Sequence, residues 1–243
     1  VRQLEKISET KTPAFGNVGV LAQRLQAAWK GSKLVTPWHF LGYNARNFLG
    51  DFEAVVGAAP GVMKHMPEAF RILREAQQAK KKGLATTDLW KLMLEHGIQT
   101  SGWASDEVQP WFSEADSKTL KGMTGKTIEA SLKIVRAYWN KARSATQARE
   151  NILRVAAFLY YRDMLQKGEK IHLGGAHKID VQEIQEAFGN DTAAGHLSRK
   201  LLGDYGDISV MGNRLRNGVV PFYSWWEVNF KRWPRMLINS WDY

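Results

Sequence analysis

The sequence predicts an all-α fold, an irregular bundle of about seven to ten helices with one long irregular excursion and no substantial sheet. Three observations lead there. Apolar residues recur at intervals of three and four along most of the chain, as one buried face of a helix requires. Glycine, proline and small polar residues stand at the ends of those stretches, where helices start and stop. No segment keeps a strict apolar-polar alternation between hairpin turns, and no fixed-period repeat is present.

In chain order, residues 1–16 are polar, with Pro13 and Gly16, and read as an arm or connector to a single helical domain over 17–243. Asn17 caps a helix to Lys30 built on Val20, Leu21, Leu25, Ala28 and Trp29. Thr36 and Pro37 open a longer one through Trp38, Leu41, Ala45, Phe48, Leu49, Phe52 and Val55 or Val56, broken between Gly57 and Gly61. A third helix runs from Pro60 to Lys82, where a basic last turn complements the helix dipole and Gly83 takes the left-handed stop. Thr86 or Thr87 caps a short helix carrying Leu89, Leu92, Met93 and His96, closed by Gly97. Residues 97–125 form the excursion and the candidate internal boundary, with Trp103, Trp111 and Phe112 tucked back onto the core. The helical pattern returns from Lys126 to Lys167, and Ser144 with Gln147 resembles a capping box that divides it in two. After a glycine-rich loop over 168–179, Asp180 caps a helix from Val181 to Phe188 and Asp191 caps the next.

A chain of 243 residues with 44% hydrophobic content can bury a real core. The absence of cysteine excludes disulfides, thiolate metal sites and a cysteine nucleophile. A net charge of +10 implies attraction to polyanions: nucleic acid, anionic headgroups or an acidic partner. Uncharged stretches reach only about ten residues, well short of the ~20 that span a bilayer, and no basic-then-apolar leader follows Val1, so neither a transmembrane span nor a signal peptide is expected.

Motifs for chemistry are sparse. Gly125, Lys126 and Thr127 end like a phosphate-binding loop, but Leu120 stands where its first glycine belongs. His172 and His177 have no third ligand at a suitable spacing, and no Gly-x-Ser-x-Gly elbow exists. No catalytic residue, metal ligand, cofactor or small-molecule substrate is therefore expected. A carboxylate pair brought together in three dimensions would still permit glycoside cleavage, which keeps a peptidoglycan-degrading enzyme as the alternative.

The chain's most unusual stretch is its last. From Pro221 onward stand eight aromatic residues, Phe222, Tyr223, Trp225, Trp226, Phe230, Trp233, Trp241 and Tyr243, interleaved with Lys231, Arg232 and Arg235. Pro221 suits a first helical turn, Phe222, Trp226, Phe230 and Trp233 share one face, and Pro234 is expected to end or kink the helix. Three fates compete for that face: domain core, a lipid interface, or stacking on nucleic acid. The expected division has Phe222, Trp226 and Phe230 anchoring the helix to the domain. Trp225, Lys231, Arg232, Trp233 and Arg235 then remain available to a partner, membrane or DNA. A second group of polar residues, Asn44, Arg46, Asn47, Asp51, Arg199, Asp204, Asp207 and Arg214, reads as fold-specifying networks, with Asp204 and Asp207 capping a tight turn or pairing with Arg199 or Arg214.

Three stretches, Tyr43 to Asp51, Ala148 to Arg162, and Arg199 to Asp207 with Pro221 to Asn229, resemble the large polyvalent protein associated domain of tailed bacteriophages and related mobile elements. The resemblance spans roughly residues 36–240, and its last block is the specific one. It implies a module of a large internal virion protein, held in the virion interior and ejected with the genome into the host cell envelope or cytoplasm. Its partners would be other virion or ejection proteins, or copies of itself. It implies no catalytic residues.

Overall fold

The computed structural model describes residues 42, 51–98, 126–212, 215 and 223–240. Of these residues 80% are helical, and none is in a strand. The expectations for the arm, the helix from Asn17, the start of the second helix with Asn44, Arg46 and Asn47, most of the excursion, and Arg214, Pro221, Phe222, Trp241 and Tyr243 fall outside the described residues.

Residues 51–58 are helical, with Val55 buried and Val56 outside. A short 3-10 helix, Pro60–His65, follows and leads into α1, Met66–Lys82. The two are separate because Pro67 stands in the first turn of α1 and has no N–H with which to continue the preceding ladder. Gly83 ends α1 at φ +65°, the left-handed stop expected of it. α2, Asp88–Glu95, is capped by Thr87, whose hydroxyl accepts from the Trp90 N–H at 3.3 Å.

α3, Lys126–Lys167, is one helix of 42 residues. The break expected at Ser144 does not occur: no glycine or proline lies between Lys126 and Lys167, so nothing interrupts the backbone ladder once tertiary packing fixes its ends. α3 is the axis of the described fold. From Leu153 to Tyr161 every residue is buried, which a helix tolerates only when neighbours cover it on all sides. α5, Asn190–Leu202, packs most extensively against α3, and α1 and the 3-10 helix cover another side. The 3-10 helix comes so close that a Cβ on Gly61 would stand 2.4 Å from Tyr160 Cε2.

α4, Lys178–Phe188, packs on α5. Neither acid expected to cap these helices does so: Asp180 and Asp191 lie inside the first turns, and His177 and Gly189 occupy the capping positions. Carboxylates in a first turn still complement the dipole, and Asp191 also accepts from Arg162 Nε at 2.7 Å, tying α5 to α3. The last element is α6, Tyr223–Ser240. Pro234 does not end it. Pro234 lies on the exposed side, where the carbonyl it leaves unpaired can be hydrated, while Asn239 beyond it is held by bonds to the loop before α4.

Candidate docking surface on the last helix

The seat of α6 is prepared by the turn after α5. Gly203 ends α5 at φ +91°, and its carbonyl accepts from Arg154 Nη2 at 2.8 Å. Arg154 is 1% exposed, a burial that a guanidinium tolerates only when it is paired, and its Nη2 also reaches Glu150 Oε1 at 3.1 Å. The turn then closes on itself, with Arg199 the partner the sequence offered Asp204, and with Lys200, which it did not offer, the partner of Asp207. Asp204 accepts from the Gly206 N–H at 3.1 Å and from Arg199 Nε at 3.1 Å, while Asp207 pairs with Lys200 Nζ at 2.8 Å. Arg199 also donates to the carbonyl of His96, so one side chain joins this turn to the end of α2. Asp51 lies within electrostatic reach of Tyr205 and Arg232. Burial pushes the Tyr205 phenol up and keeps it neutral, so the cluster sets Arg154 and Arg232 against Glu150 and Asp51.

α6 meets this seat with its small and polar face. Ser224, Val228 and Asn229 are buried. A Cβ on Gly203 would stand 2.9 Å from Val228 Cγ1, and one on Gly175 would stand 2.9 Å from Arg232 Cγ and 2.7 Å from the Lys200 carbonyl, so glycine at both positions sets how deeply the helix sits. Arg232 Nη1 donates to the Leu201 carbonyl at 3.4 Å, and Asn239 Nδ2 to the carbonyls of Gly174 at 2.6 Å and Ala176 at 3.1 Å. Glu227 fastens the first turns: it accepts from the Ser209 N–H at 2.8 Å, the Ser209 hydroxyl at 3.0 Å and Lys231 Nζ at 2.6 Å. Burial alone would raise the Glu227 carboxyl; Lys231 and the two Ser209 donors outweigh it and hold it below the usual carboxylate range.

The expected division of the helix is therefore corrected at three residues. Trp226 and Phe230 do not anchor α6; they are 48% and 69% exposed. Arg232 is not a free cation for a partner, because its stem packs on Gly175 and burial works against its charge. The reason is geometric. The glycines at 175 and 203 leave room only for narrow residues, so the helix turns its small face inward and its rings outward.

The outward face carries Trp226, Phe230, Trp233 and Leu237 at spacings of four, three and four, with Trp233 50% and Leu237 66% exposed. Ile238 beside them is 70% exposed. The rings brace one another: Trp226 stacks on Phe230 with centroids 5.7 Å apart, and Trp225 meets Trp226 and Trp233 edge-on at 5.2 and 5.9 Å. Lys231 is exposed and paired with Glu227, and Arg235, seven residues beyond buried Val228, is half-buried on the side of the helix away from the row. The narrow inward face was legible only as Ser224, Val228 and Arg232 at spacings of four and four, and the buried pair Glu150 and Arg154 only as an i, i+4 pair entering an apolar run.

Among the described residues no group of three or more His, Asp or Glu is placed to hold a metal ion, and no helix is long and apolar enough to cross a membrane. Comparison with known protein families, curated proteins and solved structures found no match.

Proposed function

We propose that this chain is a non-enzymatic helical module of a large phage internal virion protein, delivered into the host with the genome, whose task is to present α6 as a docking surface within a DNA-delivery assembly. The observation that carries the docking role is the row of Trp226, Phe230, Trp233 and Leu237, all of it exposed on a helix whose other face buries Ser224, Val228 and Asn229. Large apolar side chains concentrated on one exposed face mark an interaction site far more often than a solvated surface.

The virion context comes from the resemblance alone. Parts of two of its three stretches meet at the seat: Glu150 and Arg154 belong to the stretch from Ala148 to Arg162, and the turn that Arg154 holds, with the helix seated on it from Tyr223 to Asn229, belongs to the last. Four of the described carboxylates at this seat, Glu150, Asp204, Asp207 and Glu227, are each paired with a cation, which supports docking over hydrolysis. Density-purified virions provide the test. A protein containing this chain should be found among their internal components by mass spectrometry and should leave the capsid during infection; absence from virions overturns the virion role.

A further inference from the structure

We propose that α6 binds the interfacial zone of an anionic bilayer, lying in the membrane plane with Trp226, Phe230, Trp233 and Leu237 turned toward the acyl chains. The inference deepens the docking role proposed above and rests on that reading for its biological setting.

The chemistry of the face selects this occupant. Its row holds two tryptophans, a phenylalanine and a leucine, flanked by Ile238 and by Pro234, and tryptophan is the side chain most at home where acyl chains give way to headgroups. The row itself is uncharged, and the ion pair at its side, Lys231 with Glu227 at 2.6 Å, is neutralised internally. Eighteen residues rise roughly 27 Å, but the helix is not apolar enough to cross a membrane and its inward face is already committed to Gly175 and Gly203, so it can lie on a bilayer and not span it. The charge of the whole chain, +10, matches an anionic surface. The apolar exposure continues past both ends. Ser209, bound to Glu227, is followed by exposed Val210 and Met211, and Ala176, whose carbonyl Asn239 holds, is followed by exposed Lys178 and Ile179.

The same features disfavour other occupants. The spacing of four, three and four matches a coiled-coil seam, but tryptophan fills two of its four positions and Pro234 lies beside it, which suits neither knobs-into-holes packing nor a straight partner helix. Duplex or single-stranded DNA would need free cations between the rings, and Lys231 is paired while Arg232 is turned inward.

The test uses the full 243-residue chain with large unilamellar vesicles of phosphatidylcholine alone, or with about a quarter phosphatidylglycerol. Co-sedimentation should be strong on the anionic vesicles, weak on the neutral ones, and at least about tenfold weaker for the double variant Phe230→Ser with Leu237→Ser. Phe70→Ser, which alters an equally exposed ring on α1, should bind as the parent does and so controls for general stickiness. Absence of vesicle binding overturns the proposal, as does binding unchanged in the double variant. A double variant that loses thermal stability along with binding overturns it too, because the row would then be packed within the protein. Parent self-association in sedimentation equilibrium that the double variant abolishes, without vesicle binding, assigns the row to a second copy. Tighter binding to duplex DNA than to vesicles assigns it to nucleic acid. Vesicle binding by a protein absent from virions would leave this inference standing and remove only the virion role; the reverse result would do the opposite.

Discussion

Replacing Arg154 with alanine probes the joint on which the seat of α6 depends. The side chain is 1% exposed, contacts Glu150 Oε1 at 3.1 Å, and donates to the Gly203 carbonyl at 2.8 Å. Its loss does three things at once. Glu150, itself buried, loses the cation beside it; the Gly203 carbonyl loses a charged donor; and the methylene stem leaves a void. Breaking a buried pair from one side costs about 3–5 kcal/mol, because the remaining charge is left desolvated. The carbonyl contributes about 1–3 kcal/mol by itself, but these losses share one cavity and are not additive, so the expected total stays near about 4 kcal/mol. For a chain of this length that is a fall of roughly 8–16 °C in Tm. Urea denaturation followed by helical circular dichroism measures it. The companion double variant Arg154→Met with Glu150→Gln removes both charges while keeping the stem's volume, and it should recover at least half of the loss. A cost below about 1 kcal/mol, or a double variant no better than the single, would refute the argument and place the pair in the class of solvated surface bridges.

Two further outcomes follow. Val228→Ala should cost about 2 kcal/mol, since Val228 is buried against Gly203, whereas Phe230→Ala two residues on should stay within about 0.5 kcal/mol; equal costs in thermal melts would reverse the assignment of the two faces of α6. Burial, with Lys200 and Arg199 nearby, pushes the His196 imidazole down from 6.5 to about 4. The unfolded chain then binds the extra proton between those values, so stability is intact above pH 6.5 and falls as pH drops toward 4. With the ring only partly buried, the loss should be on the order of 1–2 kcal/mol. Urea midpoints across that range should slope for the parent and flatten for His196→Leu; a parallel slope in both would assign the pH dependence elsewhere.

How much was legible divides along a physical line. Local signals act over one or two turns, and they were readable: the Thr87 cap, the Gly83 stop and the Asp204 turn each depend on a side chain or backbone conformation within a few residues. Signals that weaken when neighbours press on them were misread. The Ser144 capping box, a preference worth about 1 kcal/mol, lies inside an unbroken α3 that holds neither glycine nor proline, and Pro234, a cost of about 3 kcal/mol, lies inside α6, whose turn beyond it is held by Asn239.

The amino-acid sequence by itself determined the helical class, the positions of most described helices, and the fact that α6 carries a ring-lined face with cations beside it. It offered Arg199 as one of two possible partners for Asp204, five positions on across a turn, and that is the partner Asp204 takes. Which face of α6 looks inward was decided only in three dimensions. The periodicity of Trp226, Phe230 and Trp233 is the same whether the row is core or surface; the choice was made by Gly175 and Gly203, distant in the chain, which admit Val228 and the stem of Arg232 and have no room for an indole. A helical pattern states that two faces differ, and only the shape of what lies opposite states which of them is buried.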